Sequence, residues 1–258
     1  MADKKRPLIL VTNDDGITSR GIQSLVEAMR ELGEVVVVAP DSPQSGMGHA
    51  ITLNKPLRLD KVDYHGEVIG YQCSGTPVDC IKLGIDKILM QKPDLIASGI
   101  NHGSNSSINV IYSGTMSAAV EGGIEGIPSI GFSNLSYDLE ADFTESKKFS
   151  KVIAAQVLEH GLPKGIVLNV NFPDPQQGSI KGVKVCRQAN AKWEEEFDER
   201  QDPHRRKYYW LTGNFKNYDK GEDTDEWALA SGYASVVPVQ FDLTAHHAIP
   251  TINNMDFS

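Results

Sequence analysis

Residues 8–16 read LILVTNDDG, and this stretch decides the fold class. Its first five residues are apolar or β-branched without interruption, which reads as a strand buried on both faces. Asn13, Asp14, Asp15 and Gly16 read as the turn that ends it. A helical pattern follows, with Ile22, Leu25, Val26, Met29 and Leu32 on one stripe and Gly33 as its stop. Residues 35–39 form a second strand of nearly pure valine. The alternation then recurs. Thr76 as N-cap and Pro77 at the first helical position open a helix whose stripe is Val78, Ile81, Ile85, Ile88 and Leu89. Strands are expected at 94–98, 128–133 and 166–170, and helices at 113–126 and 143–160. Continuously apolar strands between helices predict an α/β fold: a Rossmann-like, doubly wound, mainly parallel sheet in three α/β/α layers. From about residue 181 the texture changes. Residues 193–206 are charged, while 207–212 and 233–239 read as strands. The expected organisation is an α/β core over 1–180 and a β-rich C-terminal extension over 181–258 that is not an independent domain.

Composition narrows the function classes. The 258 residues carry 25 Lys plus Arg and 34 Asp plus Glu, a formal net charge of −9. Such a surface argues against a stable nucleic-acid partner or an anionic membrane, but not against a small phosphorylated ligand held locally. Cys73, Cys80 and Cys186 are odd in number and widely spaced, which fits a reducing compartment. No apolar stretch has the length of a membrane span or a signal-peptide core, so the expected location is cytoplasmic.

Ligands of a doubly wound sheet bind at the carboxyl ends of its strands, so the loops there carry the chemistry. Asp14 and Asp15 are adjacent carboxylates, which a cation stabilises; as a turn, the same residues need no ligand. The loop after the second strand, APDSPQSGMGHAIT, offers Ser45, Gly46 and His49. The loop after residue 98, SGINHGSNSS, offers Asn101, His102, Gly103 and Asn105. Ser113, Gly114 and Thr115 start a helix, whose free N–H groups suit a phosphate. Together these place carboxylates, hydroxyls, amides and a helix N-terminus at one sheet edge, a combination suited to metal-assisted phosphoryl chemistry. The chain lacks GxxxxGK[ST], lacks GxGxxG after the first strand and lacks GxSxG, which disfavours P-loop, dinucleotide and α/β-hydrolase readings.

The segments LILVTNDDGI, VVAPDSPQSG, CSGTPVDCIKLG, SGINHGSN, YSGTMSAAVEG and DTDEWALASGYASVVPV resemble, in order and over nearly the whole chain, the SurE family of metal-dependent nucleoside monophosphate phosphatases. The resemblance implies one divalent cation per subunit, magnesium or manganese, held by Asp14, Asp15, Ser45 and Asn101, with Asp14 and Asp15 as the catalytic pair. It implies a phosphate and substrate site lined by Asn13, Gly46, Gly103, Asn105, Ser113, Gly114 and Thr115. The late DLTAH segment marks Asp242 and His246 as further candidates, and His49 and His102 lie within site loops. The resemblance also implies a C-terminal extension that exchanges segments to build a homodimer or homotetramer. Many members carry basic residues just before the serine ligand; here that stretch is Asp41-Ser42-Pro43-Gln44.

The expected activity is hydrolysis of nucleoside 5′- and 3′-monophosphates to nucleoside and phosphate, with short polyphosphate as a further substrate. The competing reading is a non-catalytic nucleotide-binding or receiver-like regulator. A receiver would end its central strand in a phospho-acceptor aspartate, where this chain has Asn101. His65, His160 and His204 read as surface histidines.

Overall fold

The computed structural model describes residues 6–64 and 68–257; His65 lies outside them. The order of elements in the first half is β1 (Leu8–Thr12), α1 (Arg20–Arg30), β2 (Glu34–Pro40), β3 (Leu59–Tyr64), β4 (Val68–Cys73), α2 (Pro77–Leu83), β5 (Leu95–His102) and α3 (Gly114–Ile124). The second half continues with β6 (Ser129–Asn134), α4 (Thr144–His160), β7 (Ile166–Phe172), β8 (Val183–Val185), β9 (Ala191–Gln201), β10 (Lys207–Asn217), α5 (Asp225–Ala230), β11 (Ala234–Gln240) and α6 (Ile249–Asn253). Nine strands form one sheet in the order β3-β4-β2-β1-β5-β6-β7-β11-β8. The run from β4 to β7 is parallel throughout, and β3 and β11 pair antiparallel with β4 and β7. The mainly parallel α/β architecture expected from the sequence is the one observed.

Alternate residues of each strand serve opposite faces, and both faces are dry. Ile9, Val11, Val35, Val37, Leu95 and Ala97 meet Ile22, Leu25 and Met29 of α1 and Ile153 and Val157 of α4. Leu8, Leu10, Val36, Val38 and Ile96 meet Cys80 and Ile81 of α2 and Ala118 of α3. Burying each large side chain contributes roughly 1.5–3 kcal/mol, which is why the strands carry no polar alternation. Helix α2 begins where its Thr-Pro signal puts it. The Thr76 hydroxyl accepts from the Asp79 N–H, and the Asp79 carboxylate accepts from the Thr76 N–H at 2.9 Å, a reciprocal cap. A π-helical segment, Gly84–Leu89, extends this helix to Met90, which takes a left-handed backbone.

Two strands depart from the sequence pattern. The charged stretch after residue 190 is itself a strand, β9, paired residue for residue with β10 in a separate two-stranded sheet. That ribbon has no core to face, so it needs no apolar alternation. Cross-strand contacts such as Lys207 with Glu199 at 2.9 Å and the Tyr209 hydroxyl on Glu199 at 3.0 Å hold it instead. The edge strand β3 is the other departure. Its LDKVDY sequence mixes charge with apolar residues, as an edge strand does, and so gives no buried-strand signal.

Topology fixes the location of the site. The chain passes from β1 to β2 on one side and returns with β5 on the other, so β1 and β5 flank the point where strand order reverses. A crevice opens at such a point beyond the carboxyl ends of the strands. The residues there are Asp14 and Asp15 after β1 and Asn101 near the end of β5.

Candidate active site

Asp14 is 4% exposed, a carboxylate almost out of water. Two segments converge on it, the start of α3 and the loop after β2. The Thr115 hydroxyl donates to its Oδ1. Gly114, the first residue of α3, packs so closely that a Cβ there would stand 2.8 Å from the Asp14 Cβ. The Gln44 N–H donates to the Asp14 carbonyl at 2.8 Å and brings the loop bearing Ser45 alongside. Burial, then the neighbouring Asp15 charge, push the Asp14 carboxyl up to about 7, against the opposing pull of Thr115. Burial also raises Asp15, partly offset by the His102 N–H, which donates to its Oδ2 at 3.3 Å.

The strand-end loop of β5 supplies the opposite wall. The Asn101 Nδ2 donates to the Gly103 carbonyl at 2.9 Å. Asn105 is locked from three directions. Its N–H donates to the Asn171 Oδ1 at 2.8 Å, its carbonyl accepts from the Asn169 Nδ2 at 2.8 Å, and its own Nδ2 donates to the Ser133 hydroxyl at 2.7 Å. A further bond from the Asn171 Nδ2 to the Asn169 Oδ1, 2.9 Å, closes this buried network. Ser113 caps α3, its hydroxyl accepting from the Met116 N–H at 3.0 Å.

Asp14, Ser45, Gly46 and Ser113 line one cavity of about 640 Å³ together with Asn101, His102, Gly103 and Asn105. Asp15, Gly114 and Thr115 stand behind its wall, in contact with residues that line it. Asn13 braces the turn instead. Its Nδ2 donates to the Gly16 carbonyl at 3.0 Å and to the Ser19 hydroxyl at 2.8 Å, which ties the turn to the start of α1. His49 pairs with Glu121 at 2.9 Å, away from the cavity lining. His246 and Asp242 are exposed and pair with each other at 2.9 Å, also outside the lining. His160 and His204 are surface residues.

The donor set suits a divalent cation. Among the described residues no group of three or more His, Cys, Asp or Glu comes together as a metal site, so a cation here relies on neutral oxygens beside its carboxylates. Two carboxylates, a serine hydroxyl and an asparagine amide are all oxygen donors of the kind hard divalent ions take. Burial and the Asp15 charge raise the Asp14 carboxyl, and hydrogen bonds rather than a positive side chain oppose them. The Asn13 Oδ1, buried with no hydrogen-bond partner among the described residues, adds an unspent acceptor next to the pair. These residues fit the cation.

Several residues that matter here carry little signal in the sequence. Asn109, Tyr112, Tyr137, Trp193 and Glu195 line the same cavity from loops and from β9. Asn169 and Asn171 brace Asn105 from below. Their signal is present on inspection: asparagines at alternate positions of β7, IVLNVNF, put two amides on one face of an otherwise apolar, buried strand. Glu121 is a further residue that sequence reading misses. It is buried on α3, further along the helix from Thr115, and holds both Lys82 and His49. Hydrogen bonding from His49 is the main cause that keeps its carboxyl low, with Lys82 adding to it. This contact fastens the far end of the Ser45 loop to the helix that backs Asp14. Glu121→Gln is expected to lower the thermal midpoint by about 3–10 °C, as loss of one charged hydrogen-bond pair does. Turnover should fall with it, because Ser45 loses its anchor. Differential scanning fluorimetry beside steady-state kinetics checks both, and an unchanged midpoint would remove Glu121 from this role.

Comparison with known proteins agrees with the geometry. The family model described as "Survival protein SurE" matches residues 9–195. A protein of Flavobacterium psychrophilum named 5′-nucleotidase SurE is 65% identical over 254 residues, covering 98% of this chain and 99% of its own. One of Christiangramia forsetii with the same name is 65% identical over 257 residues, with 98% of each chain covered. A crystal structure of the SurE protein from Aquifex aeolicus superposes with a TM-score of 0.84 at 42% identity, covering 96% of this chain and 98% of that one. Motif order, strand-end geometry and full-length similarity agree: this chain belongs to the SurE family.

Proposed function

We propose that the chain is a divalent-metal-dependent nucleotidase that hydrolyses nucleoside 5′- and 3′-monophosphates to nucleoside and inorganic phosphate. The observation that carries this reading is the adjacent Asp14 and Asp15 at the mouth of the sheet, with Asp14 buried against the N-terminus of α3. Asp14, Asp15, Ser45 and Asn101 would hold one magnesium or manganese ion per subunit. When bound, the ion supplies Lewis-acid polarisation of a phosphoryl oxygen and orients the attacking water. The remaining work falls to the chain. The Ser113 hydroxyl accepts the helix cap bond and so keeps its own hydrogen to donate to a phosphoryl oxygen. The N–H groups at the start of α3 and the second Nδ2 hydrogen of Asn105 are fixed donors for charge that redistributes as the ester bond breaks. The network of Asn169, Asn171 and Ser133 sets Asn105 before substrate arrives, which removes reorganisation from the barrier. Water adds to phosphorus, the P–O ester bond breaks, and the departing oxygen takes a proton to leave as the nucleoside hydroxyl.

The chain is further proposed to work as a homodimer or homotetramer. The β9–β10 ribbon leaves Phe197, Tyr209, Trp210 and Leu211 exposed among the described residues. The location proposed is the cytoplasm, and no helix among the described residues is long and apolar enough to cross a membrane.

The test is phosphate release from a panel of 5′- and 3′-monophosphates and tripolyphosphate, with manganese, with magnesium and with chelator. Turnover that needs metal is expected. A folded protein that binds nucleotides but turns over nothing under any metal would replace this reading with the regulator.

A further inference from the structure

The late segment 223–226, DTDE, leads into α5 and supplies no residue to the cavity lining, yet its side chains reach the loop that does. Asp225 is the brace. Its two carboxylate oxygens accept the Ser107 N–H at 2.7 Å and the Ala189 N–H at 2.9 Å, which fastens the loop after β5 to α5. Glu226 makes a different contact. Its Oε1 accepts from the Ser106 hydroxyl, 120 residues away along the chain. The Ser106 hydroxyl meets the Ser104 hydroxyl at 2.5 Å, and the Ser106 N–H donates to the same Ser104 Oγ at 3.1 Å. Ser104 lines the cavity between Gly103 and Asn105, which line it too.

An unbroken line of hydroxyls thus runs from the cavity to a carboxyl outside it. Its middle is dry, with Ser106 2% exposed, while Ser104 and Glu226 at its ends are half-buried. Burial and the Asp225 charge push the Glu226 carboxyl up, against the pull of the Ser106 bond. Such a line has two senses. With the carboxyl ionised, each hydroxyl points towards Glu226, and Ser104 offers the cavity only a lone pair. With the carboxyl protonated, every hydrogen turns the other way, and Ser104 offers the cavity a hydrogen. Bracing accounts for Asp225. It does not account for a second carboxyl aimed through two hydroxyls at the cavity.

We infer that Ser104, Ser106 and Glu226 form a proton relay that hands the departing nucleoside oxygen its proton, with Ser104 meeting that oxygen and the other two acting through it. The inference rests on the nucleotidase reading and deepens it. As the P–O ester bond breaks, its electron pair stays on the nucleoside oxygen, which takes the Ser104 hydrogen. Ser104 takes the hydrogen of Ser106, and Ser106 takes that of Glu226. One O–H bond forms on the nucleoside and one is lost from the carboxyl, which is left accepting from Ser106. The attacking water gives up one proton to solvent, and the half-buried Glu226 recovers one from it.

The experiment measures kcat and KM, with manganese, for the nucleoside monophosphate that the wild type cleaves fastest and for p-nitrophenyl phosphate. It uses the wild type, Glu226→Gln and Ser104→Ala. p-Nitrophenolate leaves as a stable anion without a proton, whereas a nucleoside alkoxide needs one. Glutamine keeps the shape of the carboxyl and a bond to Ser106 but cannot give up a proton. Each variant should lower the ratio of nucleotide kcat to p-nitrophenyl phosphate kcat about tenfold or more, with nucleotide KM little moved, since positioned proton transfer is worth about 10²–10⁴-fold. Both side chains are part exposed and neither change adds bulk, so both variants should fold, which melting curves check. An unchanged ratio in either variant would overturn the relay while leaving the nucleotidase reading intact. Equal losses on both substrates give that result, because a mere brace fails for every leaving group alike. A folded wild type that releases phosphate from no nucleoside monophosphate would instead overturn the nucleotidase reading, and the relay with it, since no nucleoside oxygen would then depart.

Discussion

Asp14→Asn is expected to abolish metal-dependent turnover while raising the stability of the metal-free protein. The two effects share one cause. Asp14 is buried and its neighbour is another carboxylate, so its charge is unfavourable until a cation arrives. Changes one shell outside a metal ligand already cost roughly 10–100-fold, so loss of a ligand charge should exceed that. Asparagine fills the same volume and keeps an oxygen for the Thr115 hydroxyl, so the fold is retained. The pH dependence has a definite sign. The folded carboxyl titrates at about 7 and the unfolded one at 3.8, so between these values the folded state binds more protons. Stability therefore rises as pH falls from about 7 towards 4, and the ionised group costs stability above that window. The difference is worth about 4 kcal/mol at most. Thermal midpoints of metal-free wild type and Asp14→Asn, measured from about pH 5 to pH 8, should converge at the acid end and separate at the alkaline end. Added manganese should close the gap in the wild type alone, with proton release near neutral pH that calorimetry in two buffers can register. Identical pH profiles for the two proteins would contradict the assigned burial of this charge.

Gly99→Ala is the second large effect, and it acts through the backbone. Gly99 takes φ +125°, a conformation open to glycine and strained for alanine. A Cβ there would also stand 2.2 Å from the Phe132 carbonyl oxygen on the neighbouring strand. The register of β5 against β6 shifts between Ser98 and Asn101, an irregularity that aims the end of β5 into the crevice. Alanine must push β5 and β6 apart where Asn101 leaves the sheet. A loss above about 3 kcal/mol is expected, among the larger values single substitutions give. Circular dichroism melts read the stability, and cation affinity of whatever protein remains folded reads the displacement of Asn101. A midpoint within a degree or two of the wild type would mean that β5 has another way to accommodate a side chain.

Much of this molecule is legible along the chain. LILVT, the valine run of β2 and the DLIAS segment of β5 announce buried parallel strands because a strand covered on both faces has no polar side to show. Thr76 with Pro77 announces α2 because a cap is a local contact between residues three apart. The adjacent Asp14 and Asp15, with Ser45, Asn101 and the Ser113 helix start, stand out as candidate site residues because strand-end loops of a doubly wound sheet share one edge whatever their distance in sequence.

What the chain does not announce alone depends on contacts between distant segments. The charged β9 is a strand only because β10 lies beside it. Glu121 and His49 look like an ordinary helix glutamate and a loop histidine until folding brings them to 2.9 Å. Asn169 and Asn171 look like interruptions of β7 until Asn105 arrives above them, 64 and 66 residues away along the chain. Tyr137, Tyr112 and Trp193 come from three separate regions and meet only in the cavity. Backbone preference and burial act over a few residues and are written in the sequence. The cavity's far wall, its bracing and the charge state of Asp14 follow from desolvation and packing, which exist only once the chain has closed around them.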